Sequence, residues 1–308
     1  MATTDAARVY REFDRVELAV AYSPSSRIED LPGELAAYAR HSAAARARLT
    51  VRRDLRYGPE APELLDFFPA AVPGAPLQVF VHGGYWQELG KADAAFAAPD
   101  FVDRGAAFAA VGYGLAPAHP LDDIVAMVRR AVRWLAVNAP ALGVDPRRIH
   151  LSGSSAGAHL AVMALLDPAG GVDGRIAGAS LLSGVYDLEP IRLTYVNDAL
   201  GLDASDAYRN SPLHHLRPGL PPLVIARGDN ETGEFGRQHE DFAEVARRVG
   251  APVVSIVEPA RHHFDLPFDL GRPESRLGAA VLAQMGLPRY PAGRRAGGSG
   301  VSTISRTE

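Results

Sequence analysis

The chain has 308 residues, 47% of them hydrophobic and 22% charged, with a formal net charge of −4. That is globular composition with chain enough for a sizeable core, and its slightly negative balance argues against nucleic acid or an anionic membrane as a partner. Cysteine is absent, which excludes disulfides, thiol nucleophiles and Cys-ligated zinc together and suits a reducing cytoplasm.

The first residues carry no basic stretch followed by an apolar run, so no signal peptide is expected, and no apolar run reaches the length of a membrane span. The first 50 residues read as a polar extension in which Leu35–Leu49, rich in Ala and Arg, is helical. Val51–Tyr57 and Leu64–Phe68, separated by Gly58-Pro59, predict an antiparallel opening hairpin. Leu77–Val81 is a buried strand that runs into His82-Gly83-Gly84-Tyr85-Trp86. A helix is expected over Ala92–Arg104 and a strand over Ala107–Val111. In Leu121–Ala139, Ile124, Val128, Ala131 and Leu135 recur at helical spacing, and Asp122 and Asp123 favour the N-terminus.

Arg148–Ser152 then reads as a strand, Gly153-Ser154-Ser155-Ala156-Gly157 as a sharp turn and Ala158–Leu166 as a helix. Ala179–Leu182, Leu223–Ala226 and Val253–Val257 are further strands. Phe235–Val249 and Ser275–Met285 are the late helices. Residues 187–217 form an irregular excursion over the strand ends, and the Gly-, Arg- and Ser-rich tail at 288–308 reads as disordered. Strands alternating with helices predict an α/β fold, a doubly wound, mostly parallel sheet with helices on both faces, in one domain over 1–287. Ligands of such sheets bind beyond the carboxyl ends of the strands.

The G-x-S-x-G turn between strand and helix is the setting of a nucleophile elbow, which lifts Ser155 into the open and aims the Ala156 N–H at a developing oxyanion. A serine hydroxyl needs a base, and the base needs a carboxylate to hold its tautomer. In this fold the order is Ser, acid, His. His263, in the loop after the last strand, is the preferred base over its neighbour His262. His159, four residues after Ser155 on the same helix, supports the elbow by packing. In the loop Gly228-Asp229-Asn230-Glu231-Thr232 two carboxylates compete. Glu231, three residues past the glycine, is favoured, with Asp229 as rival and Asp187 as a third candidate. The glycines of His82-Gly83-Gly84-Tyr85-Trp86 let the amides of Gly84 and Tyr85 join Ala156 in an oxyanion hole. No ligand spacing for a metal is present, so neither a metal nor another cofactor is expected.

These residues resemble the kynurenine formamidase (arylformamidase) family of α/β-hydrolases. Its HGGxW motif corresponds to His82-Gly83-Gly84-Tyr85-Trp86, and its serine motif is similar to Ser154–Leu160. Ser183–Ile191, Asn210-Ser211-Pro212, Glu234-Phe235, Tyr22-Ser23-Pro24-Ser25 and Leu55-Arg56-Tyr57-Gly58 look like further landmarks, so the likeness spans Tyr22 to Phe264. It implies Ser155 as nucleophile, His263 as base and an acid at Glu231, where many members have aspartate. It also implies Trp86 and Tyr186 against the substrate, and hydrolysis of an aryl formamide such as N-formyl-L-kynurenine. A carboxylesterase acting on small esters, or a deformylase of another N-formyl arylamine, would use the same residues. The expected partner is a small molecule, with no nucleic acid and no membrane, in the cytoplasm. The chain is compatible with a homodimer.

Overall fold

The strands at the middle of the sheet form where runs are mostly apolar, as in Ala75–Val81 and Ala107–Val111. In the computed structural model, which describes residues 7–167, 169 and 174–290, eight strands make one sheet. They are β1 (Arg52–Arg56), β2 (Leu64–Phe68), β3 (Ala75–Val81), β4 (Ala107–Val111), β5 (Val144–Ser154), β6 (Ile176–Leu182), β7 (Leu223–Asn230) and β8 (Val253–His262). Their spatial order is β1-β2-β4-β3-β5-β6-β7-β8. β2 runs antiparallel to both neighbours and every other pair is parallel. β3 and β4 are buried along their whole length, as strands covered on both faces must be.

The helices are α1 (Arg15–Ala21), α2 (Leu31–Arg48), α3 (Ala98–Val102), α4 (Leu121–Asn138), α5 (Ala156–Leu165), α6 (Glu189–Arg192), α7 (Asn197–Leu200), α8 (Ala204–Arg209), α9 (Gly233–Arg248) and α10 (Arg276–Met285). Side chains that alternate along a strand point to opposite faces, and the core divides accordingly. From β4, Ala107, Ala109 and Val111 pack with α4, α5 and α9, while Phe108 and Ala110 pack with α2, α3 and α10. The architecture is the doubly wound α/β sheet read from the sequence. Among the described residues, no helix is long and apolar enough to cross a membrane.

Two expectations need correction. The helix expected over Ala92–Arg104 is instead a 3-10 turn at Lys91–Asp93 followed by the five-residue α3. Pro99 lies in the first turn of α3, where its missing N–H is harmless; deeper in a helix its ring would meet the carbonyl four residues back. The excursion is not wholly irregular, since it holds α6, α7 and α8. From residue 291 the tail expected to be disordered lies outside the described residues.

Candidate active site

β5 ends at Ser154 and α5 begins at Ala156, so one residue carries the whole change of direction. That residue, Ser155, has φ +56° and ψ −120°, a conformation L-residues rarely adopt and one that marks strain held by its surroundings. The Ser155 N–H donates to the Leu182 carbonyl at 2.8 Å, tying the turn to β6. Gly157 brings helix and sheet together, since a Cβ there would lie 2.1 Å from the Val81 oxygen. Ser155 lines a cavity of ≈ 220 Å³ that His263 also lines.

β7 and β8 end side by side, and their loops carry the other two groups. His263 Nδ1–H donates to Glu231 Oε2 at 3.0 Å, which leaves Nε2 with the lone pair a base needs. Glu231 Oε1 accepts from the Ser183 hydroxyl at 2.6 Å and from the Gly228 N–H at 2.7 Å. Burial alone would raise the Glu231 pKa. The hydrogen bond and charge of His263, with the Ser183 and Gly228 donors, outweigh burial and hold it below the usual glutamate value. Asp229, the rival acid, is exposed to solvent. Asp187 accepts from the Glu189 N–H at 3.1 Å and so fixes the start of α6. His262 sits beside Glu34 and Asp265, at 3.5 Å from each.

The loop after β3 turns through three successive residues of positive φ, Gly84 (+98°), Tyr85 (+47°) and Trp86 (+61°). Gly83 permits its approach to the elbow, because a Cβ there would stand 2.8 Å from the Ser154 oxygen and 3.3 Å from Ser155 Cβ. Among the described residues, the N–H groups of Gly84 and Tyr85 donate to no carbonyl, and both residues line the cavity with Ser155. Ala156 opens α5, where N–H groups have no partner within the helix. The arrangement offers a nucleophile, a held base and free amides around one small space.

Trp86 and Tyr186, expected against the substrate, lie elsewhere: both are 0% exposed and neither lines the cavity. The positive φ at Trp86 turns its ring into the core, where its indole N–H donates to His159 Nδ1 at 3.2 Å. His159 Nε2–H donates in turn to the Asn210 carbonyl at 2.7 Å. The imidazole therefore joins the glycine loop, the elbow helix and the excursion as a neutral group, and burial pushes its pKa down to about 4. Tyr186 stacks on Phe242 of α9 at 3.9 Å between ring centroids.

The excursion over the strand ends contributes Tyr195 and Val196 to the cavity. The larger wall comes from the N-terminal extension, through Pro24, Ser25, Leu31, Leu35 and Tyr38. Two phenols clamp that wall: Tyr38 donates to the Phe264 carbonyl and Tyr85 to the Tyr22 carbonyl, each at 2.6 Å. Sequence reasoning passed over this wall because the extension is polar on average. The apolar members Leu31, Leu35 and Tyr38, at helical spacing, were the available signal.

A family model described as BD-FAE matches residues 66–179. The kynurenine formamidase of Danio rerio is 33% identical over 272 residues, covering 83% of this chain and 92% of that protein. That of Salmo salar is 32% identical over 294 residues, covering 90% and 98%. Esterase LipQ of Mycobacterium tuberculosis is 31% identical over 240 residues, covering 69% and 57%. Among solved structures, a Silicibacter sp. TM1040 protein provisionally assigned as a thioesterase superimposes with a TM-score of 0.77. It is 28% identical, with 86% of this chain and 98% of that chain covered.

Proposed function

We propose that this chain, which belongs to the kynurenine formamidase family of α/β-hydrolases, hydrolyses aryl formamides and takes N-formyl-L-kynurenine to L-kynurenine and formate. The observation that carries the reading is the buried His263–Glu231 pair, 3.0 Å apart, on the cavity that Ser155 enters from a strained turn. Ser155 Oγ attacks the formyl carbon while His263 Nε2 takes its proton. Glu231, held ionised, stabilises the imidazolium and keeps Nδ1 protonated throughout. The negative oxygen of the tetrahedral intermediate rests on the amides of Gly84, Tyr85 and Ala156. Removing one such donor typically costs about 3–4 kcal/mol of transition-state stabilisation. His263 then gives its proton to the departing aniline nitrogen. Water activated by the same imidazole attacks the formyl ester and releases formate.

The formyl group, the smallest acyl group, suits an acyl side bounded by Gly83, Gly84 and the Tyr85 loop. The same machinery accepts small esters, and the likeness to esterase LipQ supports that as the second reading. The setting is a reducing cytoplasm, consistent with the cysteine-free chain. The deciding experiment compares kcat/KM on N-formylkynurenine with p-nitrophenyl acetate and butyrate. A formamide constant at least tenfold above both esters is expected. Equal constants on acetyl and butyryl esters, with no formamide turnover, would replace the formamidase with an esterase.

A further inference from the structure

His263 meets Glu231 because β8 leaves regular pairing just before it. Gly228 pairs with Glu258 and Asn230 with His262, so Asp229 alone faces Pro259, Ala260 and Arg261. Ala260 takes up the excess with φ +54°, and the strand passes so close that a Cβ on Gly228 would lie 2.2 Å from the Arg261 oxygen. A bulge of this kind beside an active site re-aims the side chains that follow it. Here it sets His262 beside Asn230, and the next residue is the base.

A strand that ends in a bulge has no ladder to hold its last turn. Among the described residues, the N–H groups of Phe264 and Asp265, immediately after the base, donate to no backbone carbonyl. Both donate instead to His262 Nδ1, at 3.2 and 3.3 Å. The His262 N–H closes the turn from the other side, donating to Asp265 Oδ1 at 2.7 Å. Because two donors share its lone pair, Nδ1 carries no proton and Nε2 does. Nε2 stands 3.5 Å from Glu34 Oε1, beyond ordinary hydrogen-bond length, so the inner nitrogen makes the bonds that shape the turn. His262, Phe264 and Asp265 are all partly buried, and an amide kept from water needs a partner within the protein.

Taking from the reading above only that His263 is the base, we propose that His262 is a positioning residue for the reaction: through Nδ1 it fixes the turn that presents the His263 imidazole to Ser155 and Glu231. Without that acceptor, the amides of Phe264 and Asp265 turn to other partners, and the imidazole just before them swings with the backbone. The Tyr38 hydroxyl still holds the Phe264 carbonyl and Glu231 still draws the His263 Nδ1–H, so the fold survives while the base loses register. A misplacement of about 1 Å can cost on the order of a hundredfold in rate.

Two amide side chains test the two ends of the ring. His262→Asn puts an amide oxygen where Nδ1 stands, whereas His262→Gln reaches the position of Nε2 and leaves the inner one without an acceptor. On p-nitrophenyl acetate, His262→Gln should lose about tenfold in kcat with KM within twofold, and His262→Asn should recover to within threefold of wild type. The rate at which a fluorophosphonate modifies Ser155, which needs the base but little of the substrate wall, should follow the same order. A residue that only packs would move the urea midpoint without producing that order. His262→Ala, which also removes the acceptor, replaces His262→Gln if that variant folds poorly. A kcat within twofold of wild type in the variants lacking the acceptor overturns the proposal, as does equal loss in His262→Asn and His262→Gln. Modification of Ser155 at the wild-type rate in His263→Ala overturns it too, since His263 would then not be the base. The expected order on the ester, with no turnover of N-formylkynurenine by the wild type, would overturn the formamidase reading and leave this one standing.

Discussion

Ser183 lies at the end of β6 with φ +46°, is 1% exposed, and gives its hydroxyl proton to Glu231 at 2.6 Å. Ser183→Ala removes one of the three donors that hold that carboxylate and adds no bulk. A hydrogen bond to a charged group contributes about 1.5–3 kcal/mol, and a buried acceptor left short of partners loses that in full. Glu231 keeps the His263 imidazole and the Gly228 amide, so the loss should fall toward the low end, about 2 kcal/mol in urea unfolding at pH 7. The carboxylate pKa should rise, because one of the groups that lower it is gone. With Glu231 less firmly oriented, kcat on a formamide or p-nitrophenyl acetate should drop about tenfold while KM stays within twofold. Ser183→Gly separates the bond from the backbone: it loses the same hydroxyl but relieves the positive φ, so it should be more stable than the alanine variant and no more active. The reasoning fails if Ser183→Ala keeps kcat within twofold and its urea midpoint unchanged, because Glu231 would then not depend on that hydroxyl.

Glu231→Gln should lower kcat by about ten-thousand-fold through loss of the correct imidazole tautomer, and Asp229→Asn should leave it within twofold; the reverse ranking in steady-state kinetics would move the acid to Asp229. Trp86→Phe removes the indole donor to His159 and should cost about 1–2 kcal/mol in thermal or urea unfolding, with KM unchanged because the ring lies outside the cavity; a large rise in KM would return Trp86 to the substrate. Burial pushes the pKa values of His82 and His159 down to about 4, so the unfolded chain binds protons at these sites before the native one does. Stability should therefore be full above pH 6.5 and fall as the pH drops toward 4. At 1.36 kcal/mol for each tenfold in proton affinity, the loss is about 3 kcal/mol per histidine. Urea midpoints flat between pH 7 and 4.5 would contradict that burial.

The central strands are legible in the sequence because both faces are buried, so their runs are apolar apart from Gln78 in β3. The true lengths of β7 and β8 are not. Gly228 pairs with Glu258 and Asn230 with His262, yet polar residues near a sheet edge look like loop when read one at a time. Glu231 is legible from its distance past a glycine. Its support from Ser183 is not, since a serine beyond a strand has no pattern and a positive φ outside glycine leaves no mark in the sequence. Trp86 shows the same limit: an aromatic in a glycine loop can face cavity or core, and the handedness of three consecutive residues decides which. The cavity wall from residues 24–38 was hidden because average polarity conceals a helix with one apolar side.

That wall is fastened to the parts that do the chemistry. The phenol of Tyr85, in the amide-bearing loop, hangs on the Tyr22 backbone, and the phenol of Tyr38 holds the carbonyl of the residue after His263. Tyr22 is itself anchored, its own hydroxyl donating to Glu234 at 2.9 Å and accepting from Arg237 and Gln238 of α9. Recognition and reaction are thus mechanically coupled, and the front of the chain acts as a brace for turnover. Exchanging residues 15–38 with those of a relative should alter kcat together with substrate preference, whereas an effect on KM alone would mean the brace bears no strain.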